Sequence, residues 1–246
     1  MENTMFIALS RQMSLRREMT VVANNIANMN TNGFKGEKVM FVEHLVRSKG
    51  SGSVLGDKLN YVRDIATMRD TSRGHIEQTS NPLDVALAGD GYFAIGDPIG
   101  EKYTRNGRFQ LDATGQLVTQ HGDPVLSNSD QPFFFGPTDT KITIAGDGTV
   151  ASENGSLGRL KIVNFKNELD LKQAGNSAFR PGPDNFPEEI EYPELIQGAL
   201  ETSNVEPIIE LTKMIEVHRA YNGAKTFIDK EDERQKTMIR EMTKQA

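Results

Sequence analysis

Gly89-Asp90-Gly91-Tyr92-Phe93-Ala94 spells the G-x-G-x-x-A letters of a dinucleotide-binding loop. That chemistry needs a helix opening behind the glycines, so that backbone N–H groups face a pyrophosphate. Strand formers follow here, and the letters read as a tight turn. His44, His75, His121 and His218 stand far apart, none with a second ligand three or four positions away, so no metal site is expected. Asp147-Gly148 lacks the other acids of a calcium loop. No G-x-S-x-G elbow occurs. Glu188, Glu189 and Glu191 lie next to Pro187 and Pro193 and read as a solvated loop rather than a paired acid and base. Asn154-Gly155-Ser156 fits a glycosylation sequon, but its glycine reads as a turn. The expectation is a protein without cofactor or catalytic centre. A cell-wall-acting enzyme is the rival from another class, resting only on those carboxylates and glycine turns.

A second polar constellation is denser. Asn24, Asn25, Asn28, Asn30 and Asn32 crowd nine positions, although asparagine is a poor helix former. The amides either cap a fraying helix end locally or form a polar surface that bonds neighbouring subunits. The chemistry alone leaves both open.

The elements that position these groups follow from where the helix breakers fall. Of 22 glycines none precedes Gly33 and only Gly223 follows Gly198, and nine of ten prolines lie between Pro82 and Pro193. The pattern is helix, a long non-helical body, then helix. Met5, Ala8, Gln12, Leu15, Met19, Val22, Ile26 and Met29 alternate steps of three and four, the a/d spacing of a coiled-coil seam. This helix should end around Asn30 to Gly33, with Gly33 or an asparagine in the left-handed conformation. Ser203-Asn204-Val205-Glu206 has the form of a capping box, with Pro207 in the first turn. Ile208, Leu211, Ile215, His218, Tyr221 and Ile228 then recur at helical spacing.

Between the ends, short strand signals alternate with turn chemistry: Leu83 to Leu87, Tyr92 to Ile95, Arg108 to Leu111, Gln116 to Thr119, Pro124 to Leu126, Lys141 to Ala145 and Leu160 to Phe165. Asp112-Ala113-Thr114-Gly115 fits a four-residue hairpin loop. The fold class is therefore α+β: a discontinuous domain of N- and C-terminal coiled-coil-type helices with an inserted, mainly antiparallel β-domain. The divisions are 1–35 for the first helix, 36–70 for an extended linker with a flexible loop at Ser48 to Gly56, 71–192 for the β-domain and 193–246 for the last helix, which packs with 1–35. Helices with one apolar stripe need a partner, and the expectation is ends that neighbouring subunits order.

Composition narrows the setting. A net charge of -6 argues against a nucleic-acid partner, and zero cysteine excludes disulfides and thiolate chemistry. No apolar run reaches a membrane span, so no direct membrane insertion is expected. The segment Met1-Glu2-Asn3-Thr4 lacks the features of a cleaved export signal.

Three separated motifs then resemble one family in its own order. Asn24 through Lys35 (NNIANMNTNGFK) is similar to the N-terminal signature of the flagellar axial proteins, the rod, hook and hook-associated subunits. Glu201-Thr202-Ser203-Asn204-Val205, with Met214-Ile215 and Arg219-Ala220-Tyr221, resembles their C-terminal signature. Pro82 to Leu87, Gly89 to Phe93, Tyr103 to Gly107, Asp112 to Leu117 and Gly122 to Val125 resemble the β-domain of rod and hook proteins. Length, Pro207 and the segment Gly158 to Val163 are most similar to proximal rod subunits, with distal rod or other axial subunits as the alternative. A scaffold or cap that leaves the finished structure is a further possibility. Departures from the pattern are the polar Gln12 and the segment Leu9-Ser10-Arg11.

The resemblance implies a structural subunit of the flagellar basal-body rod. It implies export by the flagellar type III apparatus without cleavage, and assembly in the periplasm with other proximal and distal rod subunits and with copies of itself. The implied assembly interface comprises Leu15, Met19, Val22, Asn24, Asn25, Ile26, Asn28, Asn30, Gly33, Phe34, Asn204, Val205, Ile208, Leu211, Ile215, Arg219 and Tyr221.

Overall fold

Two compact units emerge from one chain that passes repeatedly between them. One comprises Met1–Ala27, Glu37–Asp70 and Glu206–Ala246; the other comprises Asn28–Gly36 and Thr71–Val205. The computed structural model describes residues 2–47, 58–137, 139 and 141–244.

The first unit is built on two helices, α1 (Glu2–Ala27) and α2 (Pro207–Lys244). α1 runs through a stretch free of glycine and proline and stops before the expected Asn30 to Gly33. Asn28 supplies the reason: its carbonyl accepts from Thr31 N (3.1 Å) and its Oδ1 from Thr31 Oγ1 (3.2 Å), drawing the backbone into a turn. α2 opens with Pro207, whose missing N–H costs nothing in a first turn. The anticipated capping box does not form. Ser203 Oγ accepts from Val205 N (3.2 Å), and the Asn204 amide is committed elsewhere. Residues 195–197 and 199–201, expected within the helical segment, are strands of the β unit.

Residues 36–70, expected as an extended linker, instead contain a long antiparallel hairpin, β1 (Glu37–Arg47) and β2 (Lys58–Arg69). Pairing runs from Glu37↔Arg69 to Arg47↔Lys58, with a register shift between Met40 and Phe41. Both strands lack glycine and proline and are rich in Val, Phe, Tyr and Ile, which suits a pleated surface. Charges interleaved among those residues obscure the signal. The expected flexible loop at Ser48 to Gly56 lies outside the described residues. The hairpin packs against α1, and α1 packs along α2.

The second unit is antiparallel throughout. β3 (Ile76–Gln78) pairs with 199–201, and β4 (Val85–Leu87) with 195–197. β5 (Tyr92–Asp97) and β6 (Gly100–Thr104) form the centre of a six-stranded sheet whose order is 172–173, 178–180, β6, β5, 162–164, 188–189. Tyr92 to Ile95 reads as one apolar run because both faces of β5 are covered. Phe93 and Ile95 join a core with Phe109, Leu117, Val125 and Leu160, while Tyr92 and Ala94 join a second with Tyr103, Phe165 and Phe179. Phe93 meets Phe109 edge to face at 5.2 Å. The alternation read at Leu83 to Leu87 does not separate two faces, since Asp84 through Leu87 are all buried. Asp84 is accommodated by Asn81 Nδ2 at 3.1 Å. The four-residue loop forms as expected, with Asp112 Oδ1 accepting from Thr114 N and Gln116 N and Gly115 at φ +80°.

Candidate functional site

The three sequence motifs converge on one buried ion cluster in the β unit. Lys35 ends the first motif, Arg105 lies in the middle one and Glu201 opens the last. Glu201 Oε1 accepts from Lys35 Nζ at 2.6 Å and from Gly74 N at 2.9 Å; its Oε2 accepts from Arg105 Nε at 2.6 Å. All three side chains are 5% exposed or less. Lys35 also donates to the Ser72 carbonyl (2.8 Å), and Arg105 to the Gly91 and Gly89 carbonyls (2.5 and 2.7 Å). The glycine-rich turn therefore presents carbonyl oxygens to a guanidinium, the reverse of an amide cradle for phosphate.

Burial raises the Glu201 carboxyl, but the Arg105 charge and the bonds from Lys35, Arg105 and Gly74 N–H outweigh it and hold the pKa below the ordinary range. At Lys35 burial prevails over the bond to Glu201 and lowers the ammonium pKa, helped by the nearby Arg105 charge. One carboxylate serving two cations explains the asymmetry.

Gly33 and Asn204 complete this clasp. Gly33 sits at φ +66°, donates to the Glu201 carbonyl at 2.8 Å, and would place an added Cβ 2.5 Å from the Arg105 backbone carbon. It is left-handed as expected, though as part of the clasp rather than as a helix cap. Phe34 is buried beside it. Asn204 Oδ1 accepts from Gly36 N (2.7 Å), and its Nδ2 donates to the Ser72 carbonyl (3.0 Å). The clasp thus ties together 33–36, 72–74 and 201–204, the segments from which the chain continues into the helical unit. Lys35, Arg105 and Glu201 were absent from the expected interface, although each lies within a quoted motif. Their opposite charges, set among glycine and asparagine, were the available signal.

In the helical unit, Asn25 is buried and works as a strand partner. Its Nδ2 donates to the Glu37 carbonyl and its Oδ1 accepts from Glu37 N, both at 2.9 Å, fixing the start of β1. Asn25 and Asn28 therefore bond within the chain. Asn24 is half-buried and Asn30 exposed. Val22 is fully buried, with Leu15, Met19 and Ile26 half-buried on the same side of α1.

The helices run antiparallel, with Lys213 Nζ 3.6 Å from Glu18 and Ile7 and Ala8 across from Ala224 and Gly223. A groove of about 510 Å³ opens there, lined also by Ala220 and Phe227. The α2 face turned to α1 carries Glu210, Met214, Val217, Tyr221, Ala224 and Ile228, of which Val217 is buried and the others half-buried. Ile208, Leu211 and Ile215, expected on the seam, lie on the opposite face together with Arg219, the three apolar ones 50–80% exposed. Val205 is half-buried in the segment before the helix. Each helix therefore has a second apolar strip: Ile208, Leu211 and Ile215 on α2, and Phe6, Leu9 and Met13 on α1.

Comparison with known proteins places these features in a family. Residues 5–35 match the family model described as flagella basal body rod protein, 86–152 match the flagellar hook protein FlgE/F/G D1 domain, and 196–241 match the flagellar basal body rod FlgEFG protein C-terminal model. The flagellar basal-body rod protein FlgF of Caulobacter vibrioides is 35% identical over 99% of both chains. The chain belongs to the flagellar basal-body rod protein family. The FlgF of Mesorhizobium japonicum is 33% identical over 91% of this chain and 90% of its own. The FlgG of Bacillus subtilis is 31% identical over 95% and 96%. As a rod-family protein the chain is a structural subunit of the flagellar basal body, most similar to FlgF. The matched N- and C-terminal regions contain Lys35 and Glu201, the two ends of the clasp.

Proposed function

We propose that this rod subunit polymerises through α1 and α2 into the hollow shaft that transmits torque from motor to hook, as a proximal-rod, FlgF-like component. The observation carrying this reading is the second apolar strip on each helix. Phe6, Leu9, Met13, Ile208, Leu211 and Ile215 stand exposed on helices whose inner faces already pair. Neighbours that cover those strips gain apolar burial, and head-to-tail contacts between identical chains extend into open arrays.

The buried charges of the β unit, Lys35, Arg105 and Glu201, are consumed in holding its segments together, which supports a mechanical rather than a catalytic role. Partners are other proximal and distal rod subunits and copies of this chain, assembled in the periplasm after passage through the flagellar type III export apparatus without cleavage. The interface positions on this reading are the outer-strip residues Ile208, Leu211, Ile215 and Arg219, with Asn24 and Asn30 at the end of α1. Leu15, Met19, Val22, Ile26 and Tyr221 lie on the covered sides of the two helices.

Deleting residues 2–27 from the chromosomal copy tests the proposal. Basal bodies purified from those cells should lack the chain, and the cells should be non-motile. Normal incorporation and swimming would refute it.

A further inference from the structure

The inner seam of α2 does not stop where α1 stops. Running the register outward from the Glu18–Lys213 pair, one residue for one, brings Glu2 opposite Asp229 and leaves Lys230–Lys244 beyond the end of α1. That overhang measures about 22 Å. The seam continues through it without a break in spacing: Val217, Tyr221, Ala224 and Ile228 are followed by Glu231, Gln235, Met238 and Met242, in alternating steps of three and four. Exposure rises along the line, from 5% at Val217 to 40% at Met238 and 68% at Met242, with Ile239 beside them at 62%. A surface that α1 covers for most of its length is bare at its end.

The matching strip is on α1 itself. Phe6, Leu9, Met13, Arg16 and Thr20 repeat at the same alternating spacing on the side of α1 turned away from α2, and all five are exposed. Laid antiparallel, the two strips share one spacing and fall into register. Met242 falls opposite Phe6, Met238 opposite Leu9, Gln235 opposite Met13, and Glu231 with Asp232 opposite Arg16. Two of the pairs are apolar on both sides, Gln235 lies against Met13, and the carboxylates meet the guanidinium. Glu231 and Asp232 pair within the helix with exposed side chains, Arg234 at 2.7 Å and Lys236 at 2.5 Å, and such surface pairs exchange readily.

We infer that the overhanging end of α2, residues 231–242, docks on the outer strip of α1 of a second copy of this chain, displaced along the helix axis by about 25 Å. This contact rests on the reading of the terminal helices as the polymerising elements and specifies the surface they use. Each copy offers the overhang at one end and the strip at the other, so the contact is heterologous and propagates.

Disulfide trapping in the full-length chain tests it, since the protein contains no cysteine. Leu9→Cys combined with Met238→Cys pairs the two proposed surfaces. Within one chain these positions are about 24 Å apart along the axis, far beyond the roughly 7 Å Cα separation a disulfide spans. Ile7→Cys with Ala224→Cys is the intrachain control. After mild copper–phenanthroline oxidation of assembled protein, the first pair should give a ladder of covalent multimers and the control an internally bridged monomer. Adding Arg16→Glu should reduce the ladder about two- to fivefold, and Glu231→Arg with Asp232→Arg should restore it. Assembled chains whose control pair closes while Leu9→Cys/Met238→Cys stays monomeric overturn the contact alone. Failure of the unaltered chain to form sedimentable polymer overturns the polymerisation reading and the contact with it.

Discussion

Lys35 and Glu201, 166 positions apart in the chain, meet at 2.6 Å in a site where neither side chain is more than 4% exposed. Arg105 closes the cluster from the opposite side of the carboxylate. A buried anion shared by two cations, one on each oxygen, with the Gly74 N–H beside Lys35 on Oε1, is costly to dismantle from one end, because what remains is uncompensated buried charge.

Glu201→Gln should therefore destabilise the β unit by about 3–5 kcal/mol. Urea denaturation followed by circular dichroism is the measurement. A loss below 1 kcal/mol would mean the two cations find solvent or other acceptors.

The pH dependence has a definite sign. Glu201, Asp97, Asp112 and Asp147 all have folded pKa values held below their ordinary ones: Glu201 by Arg105 and its hydrogen bonds against burial, Asp97 first by Lys102, Asp112 first by Thr114, Asp147 first by the Thr149 N–H. Depressed carboxyls contribute stability that is present above the ordinary values near 4 and lost as pH falls through the folded ones. Lys35 acts in the other window: its lowered pKa makes stability rise as pH increases from that value toward 10.5. Thermal melts of the full chain from pH 7 to pH 2 should show a plateau and then a steep fall below about pH 4. Glu201→Gln should flatten part of that fall.

Gly33→Ala forces a side chain into a left-handed conformation and drives its Cβ to within 2.5 Å of the Arg105 backbone. The backbone conformation alone costs on the order of 1–3 kcal/mol, and the clash adds to it. Asn32→Ala, one residue earlier and half-buried, should cost far less. Comparing the two melts separates the backbone requirement from a general sensitivity of the loop.

The two faces of α2 should respond differently to substitution. Val217→Ala removes buried packing against α1 and should cost about 2 kcal/mol in the monomer. Leu211→Asp or Ile215→Asp, on the exposed face, should leave monomer stability within about 0.5 kcal/mol while abolishing incorporation into basal bodies. Calorimetry of the monomer and immunoblots of purified basal bodies provide the two readings.

Hydrogen exchange should grade along α2. Amides in 210–228, covered by α1, should be protected, and those beyond 230 should exchange within the dead time in the isolated chain, because an unpartnered helix of about 15 residues is marginal in water. Uniform protection to residue 244 would show that the overhang is stable without a neighbour.

Much of this protein was legible locally. A near absence of glycine and proline from the ends, broken only by Pro207 in a first turn and by Gly223, and a three-four apolar spacing announce two helices, because helix formation depends on residues within a few positions of each other. Asp112 to Gly115 announces its hairpin for the same reason: one side chain bonds two nearby amides. The hairpin over 37–69 escaped because charged residues interrupt any clear alternation along its two strands.

What no local reading could supply is which surfaces meet. Both faces of α2 carry apolar residues at helical spacing, and the more hydrophobic one, Ile208-Leu211-Ile215, is the exposed one. α1 takes the face with Val217, Ala220 and Ala224, whose small side chains admit close approach. Likewise Lys35, Arg105 and Glu201 are ordinary charges in the sequence. Only closure of the β unit, bringing positions 35, 105 and 201 to one point and excluding water from it, turns them into a single bond network. Periodicity fixes that a stripe exists; long-range packing selects its partner.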